Sequence, residues 1–260
     1  SYACASILQV DDDMLLLRHG EALCDHYLMI ALDSTLTNVS TGASRPLRTL
    51  ALAIAMASAA LVGVVGVDVD EASAAPAMET NAMTSAVTAS ARRALESYEQ
   101  WADSYEVDAL RSFVWFRTQT AQYAAVELGI SEADMVEAWA ATPIGHQVAV
   151  LAAMTQLGVP YRTNASEEGV GFDCSGLTTY AWAKAGVQLT RRSSDQIRNA
   201  APVKRAEAKA GDLVQYPGHV MMYLGVGDAI VHSSRTGRPV QVGTVSARRA
   251  KFHHLTCGKN

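Results

Sequence analysis

Apolar and polar positions follow one rhythm before Pro143 and another after it. In the first stretch the spacing is helical. Ser90 caps a predicted helix running to Gln100 or Ser104, and from Val107 to Leu128 the residues Leu110, Phe113, Val114, Phe116, Tyr123 and Val126 recur at helical intervals. Gly129 ends that helix. Ser131, with Glu132 and Asp134 behind it, opens a third helix to about Ala141, and Pro143 marks the break. These segments read as a helical hairpin packed on the domain that follows, with their aromatic residues in the contact rather than around a ligand.

Beyond Pro143 the pattern is mixed. Gly145 to Leu157 and Asp173 to Ala185 read as helices ended by Gly158 and Gly186. Short β-like runs follow at Asp212 to Tyr216, His219 to Leu224, Ala229 to His232 and Pro239 to Val242, divided by glycines and Pro217. Met221 and Met222 point to opposite faces of their strand, so at least one belongs to the core. Helices followed by a meander of strands predict an α+β fold, an antiparallel sheet packed on helices, over residues 142–254, with the helical segment 90–141 ahead of it.

An almost unbroken apolar run, Leu50 to Val67, follows Arg45 and Arg48 and leads into Ala72-Ser73-Ala74. This is the pattern of a secretory signal over 45–74, with cleavage before Ala75 and a small, polar linker over 75–89. The run is long enough for an uncleaved membrane anchor as well, and the small-residue exit favours cleavage. Residues 1–44 precede the signal and include an acidic run, Asp11 to Asp13. They read either as an upstream extension from a misplaced translation start or as a cytoplasmic tail ahead of an anchor.

At 260 residues, with 49% hydrophobic and 18% charged, the chain suffices for one good core and a smaller helical unit. A formal net charge of -5 gives no positive field for phosphate, which argues against a nucleic-acid partner. Cys4, Cys24, Cys174 and Cys257 form no CxxC pair, so neither a disulfide framework nor a thiolate zinc site is indicated. His253, His254 and Cys257 make a poor tetrahedral set, and no metal or cofactor is expected.

Chemistry concentrates at Gly171-Phe172-Asp173-Cys174-Ser175-Gly176, where a loop gives way to an apolar helix. A cysteine in the first helical turn faces unpaired N–H groups and the positive end of the macrodipole, which together favour an anionic nucleophile. His219 opens a strand directly after Pro217-Gly218, and His232 ends the next one. The first imidazole is placed to act as base and the second to orient it. Taken alone, each of these residues reads as core or surface rather than as catalytic.

Read together, several motifs occur in a meaningful order: Gly158-Val159-Pro160-Tyr161, GFDCSGLTTYAW, Gly186 to Ser193, Gln196, Gly211-Asp212-Leu213-Val214, GHVMMYLG and IVHSS. Over roughly Gly145 to Val242 the chain resembles the NlpC family of bacterial cell-wall cysteine peptidases. The resemblance implies a papain-like fold, secretion to the cell wall, and hydrolysis of peptidoglycan stem peptides, usually between D-γ-glutamyl and a diamino acid. It implies Cys174 as nucleophile, His219 as base and His232 as orienting residue. It further implies that Tyr161 lines the site and that Asp173 and Ser175 give substrate contacts or oxyanion support. Arg191 is expected to meet substrate carboxylates or to lie in a solvated turn.

The sequence departs from the family pattern at three places. Arg162-Thr163-Asn164-Ala165 stands where a Gly-Gly pair is common, Leu189-Thr190-Arg191 where Leu-Pro-Arg is common, and the interval from His219 to His232 is one residue longer than usual. A longer turn or a bulge would absorb the extra residue. The altered loop leaves open a wall-binding protein without turnover, and the fold tolerates a related amidase or acyltransferase. A monomer is expected, and the helical segment is a candidate inhibitor lying against the groove.

Overall fold

The computed structural model describes residues 6–10, 13–17, 82–246 and 248–255. The expected extension (apart from the two short strands below), the signal, residues 75–81 of the expected linker, and Cys257 lie outside the described residues. Near the N-terminus β1 (Ser6–Val10) and β2 (Asp13–Leu17) pair antiparallel, Ser6 opposite Leu17. Among the described residues no helix is long and apolar enough to cross a membrane.

Three helices form the segment before Pro143: α1 (Ala82–Ser104), α2 (Val107–Leu128) and α3 (Glu132–Ala140). The spacing placed α2 correctly, and Gly129 closes it in the left-handed region at φ 66. Ser131 caps α3 by accepting from the Asp134 amide. Ser90, expected as the cap of α1, lies well inside it, and the stretch expected as linker is already helical from Ala82. The alanines there, read as flexible, are strong helix formers, and packing against a partner holds the serines and threonines between them in the helix. Val87, Ala91 and Ala94 are fully buried, as are Ala121 and Ala124 of α2, which packs against α1. The Ser90 hydroxyl donates back to Ala86 O at 3.0 Å and accepts from Thr120 Oγ1 at 3.0 Å, which satisfies it within the contact.

Helix α4 (Ile144–Met154) is buried at every position from His146 to Met154, because it packs both on the helical pair and on α5 (Cys174–Lys184). Arg117 of α2 is buried and donates to Gln147 Oε1 of α4 at 2.9 Å, and burial pushes its pKa down to about 10. Trp139 of α3 is fully buried, and its indole N–H donates to Leu224 O at 2.9 Å.

A small hairpin, β3 (Ser166–Glu167) with β4 (Gly171–Phe172), precedes α5, and α6 (Ser193–Asn199) follows it. The main sheet comprises β5 (Ala201–Val203), β6 (Leu213–Tyr216), β7 (His219–Tyr223), β8 (Ala229–Ser233), β9 (Val240–Thr244) and β10 (Lys251–His254). Its order is β5-β10-β6-β7-β8-β9, antiparallel throughout. The α+β class and the meander β6 to β9 agree with the sequence pattern. Strands β5 and β10 go beyond it. Both methionines of β7 are buried, since one face carries α5 and the other is covered as well.

Leu224 lies just past the end of β7 opposite to His219, about 16 Å along the strand at 3.3 Å per residue. Trp139 therefore anchors α3 at the end of β7 away from His219.

Candidate active site

Asp173 caps α5: its Oδ1 accepts from the Gly176 amide at 2.7 Å, and Cys174 takes the first helical position, partly exposed. Gly176 has a steric reason. A Cβ there would run into the Ala165 carbonyl oxygen, which backs against the first turn. Gln196, buried on α6, ties down the same turn. Its Nε2 donates to Ser175 O at 3.1 Å and Thr190 O at 2.9 Å, and its Oε1 accepts from Thr178 at 2.7 Å.

Helix α5 packs against β7 and β8, the strands that carry the two histidines. In that pair Met222 faces Val231 and Tyr223 faces Ile230. Continuing the register puts His232 opposite Met221, so His219 and His232 are diagonal neighbours on one face. Their rings bridge the diagonal: His219 Nε2 lies 3.1 Å from His232 Nδ1. The turn Leu224 to Asp228, with Gly225 and Gly227 at positive φ, joins the two strands, and Met222 and Tyr223 pair in step with Val231 and Ile230. Burial lowers the pKa of His219. Burial, with a smaller contribution from the charge of His219, pushes His232 down to about 4. Both imidazoles are therefore mostly neutral at pH 7.

The histidine strand and the approach to Cys174 are joined directly. Ser233, next to His232 and fully buried, donates to Phe172 O at 2.7 Å. Sequence reasoning quoted this serine within IVHSS but gave it no part. Tyr161 is half-buried; its backbone bridges to Phe172 and its amide donates to Arg238 O at 3.0 Å.

Asp173, Ser175 and Arg191, expected as substrate contacts, are brought together and bonded to one another. Arg191 Nη2 reaches Asp173 Oδ2 at 2.7 Å and Ala165 O at 3.1 Å, and its Nη1 reaches Ser175 Oγ at 2.9 Å. Asp173 Oδ2 also accepts from the Asn164 amide at 2.9 Å. Burial opposes the Asp173 charge, but Arg191 and the Gly176 and Asn164 amides outweigh it and hold the carboxyl below its usual range. Asn164 sits at φ 58, in the left-handed region that favours glycine and that a short polar side chain such as asparagine tolerates.

Another cluster of metal-ligating residue types among the described residues is His146, Asp212 and His254. Both ring nitrogens of His146 already face carbonyl oxygens, Ala210 O at 3.0 Å and Leu255 O at 2.8 Å, and His254 Nδ1 lies 2.7 Å from Asp212 Oδ1. Burial lowers the pKa of His146. The cluster ties α4 to the start of β6 and the end of β10, and no motif marks it in the chain.

Residues 158–257 match the NlpC/P60 family. The chain is 36% identical over 119 residues to murein DD-endopeptidase MepH of Escherichia coli strain K12, covering 42% of this chain and 44% of that protein. It is 41% identical over 100 residues to peptidoglycan endopeptidase RipB of Mycobacterium tuberculosis, covering 32% and 42%. The chain thus spans less than half the length of these curated relatives. Among solved structures, RipD of Mycobacterium tuberculosis, described as a non-catalytic NlpC/p60 domain protein adapted to peptidoglycan binding, matches at 28% identity and a TM-score of 0.37, over 44% of this chain and 100% of that one. Residues 158–257 of this chain form an NlpC/P60 family domain.

Proposed function

We propose that this chain is a secreted cysteine hydrolase of peptidoglycan, with Cys174 as nucleophile, His219 as general base and His232 as the residue that orients it. The observation that carries the reading is the His219–His232 contact between β7 and β8, the two strands against which the helix opened by Cys174 packs. Names of the relatives supply the substrate class.

The geometry suggests a proton inventory. His232, neutral because it is buried, accepts through Nδ1 the proton on His219 Nε2, which leaves His219 Nδ1 as the free base. His219 takes the thiol proton and the sulfur attacks the amide carbonyl. The amide of Cys174 is the nearest first-turn donor for the developing oxyanion, because the Gly176 amide is held by Asp173. The protonated His219 then delivers its proton to the leaving amine, and water, activated by the same imidazole, hydrolyses the thioester.

A cysteine at the start of a helix that packs on the strands of two apposed histidines supports turnover over mere wall binding, which needs neither. The test is incubation of residues 75–260, wild type and Cys174→Ala, with purified peptidoglycan fragments, following new amines and product masses. Products from wild type alone support the reading. Their masses decide between the D-γ-glutamyl bond implied by the family resemblance and the DD bond for which MepH is named. Equal product from the variant would refute the nucleophile.

A further inference from the structure

The residues flanking Cys174 face each other rather than the open site. The Arg191 side chain is 39% exposed and spans three segments: the Ala165 carbonyl in the loop after Tyr161, the capping carboxylate of Asp173, and the Ser175 hydroxyl in the first turn of α5. The Asp173 side chain, 11% exposed, has both oxygens occupied, Oδ1 by the Gly176 amide and Oδ2 by the Asn164 amide and Arg191. The loop so held contains the left-handed Asn164, a strained conformation that persists only where its surroundings enforce it.

We propose that Arg191 is a positioning residue for Cys174, clamping the start of α5 to the loop 162–165, rather than a ligand for substrate carboxylates. The inference rests on Cys174 being the nucleophile. Two physical effects act together. A planar fork holds three acceptors in fixed directions, which the single ammonium of lysine does not reproduce. The guanidinium also neutralises Asp173, whose carboxylate would otherwise stand one residue from the sulfur, poorly solvated and without a counter-charge, opposing an anionic nucleophile.

The experiment uses the full chain as wild type, Arg191→Ala and Arg191→Lys, each checked for folding by thermal melting, with two readouts. The first is site-resolved alkylation of Cys174 by iodoacetamide across pH, which needs no knowledge of the substrate. The second is kcat and KM on peptidoglycan fragments. In Arg191→Ala, alkylation at neutral pH is expected to fall about tenfold, its pH profile to move to higher pH, and millimolar guanidinium to restore part of the rate. Its kcat is expected to fall about 100-fold, as for a misplacement near 1 Å, with KM little changed.

An unchanged alkylation rate and profile in a folded Arg191→Ala overturns the proposal, as does a raised KM with wild-type kcat, the signature of a substrate ligand. Should Arg191→Ala fail to fold, Arg191→Lys decides the point, since it keeps the charge and loses the fork: wild-type kcat there overturns the clamp. Absence of hydrolysis by the wild type would count against the peptidoglycan reading alone, because alkylation still reports on Arg191.

Discussion

Replacing His232 by glutamine separates its titration from its hydrogen bond, because the amide oxygen still accepts from His219. In the folded chain burial and the neighbouring His219 hold His232 down to about 4, against an ordinary value of 6.5. An imidazole with a depressed folded pKa binds fewer protons folded than unfolded, so stability is fully present above the ordinary value and is lost as pH falls toward the depressed one. The window is therefore between 6.5 and about 4. At 1.36 kcal/mol per unit, acidification from pH 7 to pH 5 should cost about 2 kcal/mol through this residue. His219 shifts in the same direction and contributes in both proteins. Urea titrations followed by tryptophan fluorescence suit the measurement, since Trp139 and Trp182 are fully buried. Wild type should lose about 2 kcal/mol more than His232→Gln between the two pH values, about 1 M in the urea midpoint. Equal losses in the two proteins, within about 0.5 kcal/mol, would refute the assignment of a buried neutral imidazole.

Other changes probe the frame and the chemistry. Trp139→Ala should destabilise by about 3–5 kcal/mol in urea titrations, through the cavity and the unpaired Leu224 carbonyl, whereas Trp139→Phe should cost less than half of that. Gly176→Ala forces a Cβ onto the Ala165 carbonyl and should cost about 2 kcal/mol or more, with slower alkylation of Cys174 measured on the folded fraction. His219→Ala should lower kcat by about 100-fold or more with the melting temperature nearly unchanged, read from fragment hydrolysis.

The sequence carried the elements whose signals are local. Helix α2 had a periodic face and a closing glycine, α3 had a serine cap, and α5 had Asp173 in front of an apolar run. Helix α1 was misread at its start because alanine, serine and threonine are equally at home in a linker; only the partner across the contact, Thr120 and Glu127 of α2, which bond Ser90 and Thr84, decides. Strand β10 was invisible because one apolar residue, Phe252, is all that marks its buried face, and its place depends on pairing with β5 and β6. The same division runs through the site. Cys174, His219 and His232 lie in ordered motifs, so each could be named. The clamp of Asn164, Asp173 and Arg191 depends on contacts between residues far apart in the chain, and Arg191 looked no different from any arginine in a polar turn.

The last strand along the chain takes an inner place in the sheet. Pairing β10 with β5 and β6, and bonding His146 to the Leu255 carbonyl beyond it, links residues that are remote in sequence, and such non-local contacts form slowly. A nascent chain that has emerged only through β9 already contains Cys174 and both histidines, yet its sheet has open edges at β5 and β6. The platform beneath His219 therefore closes only when β10 has been laid between β5 and β6.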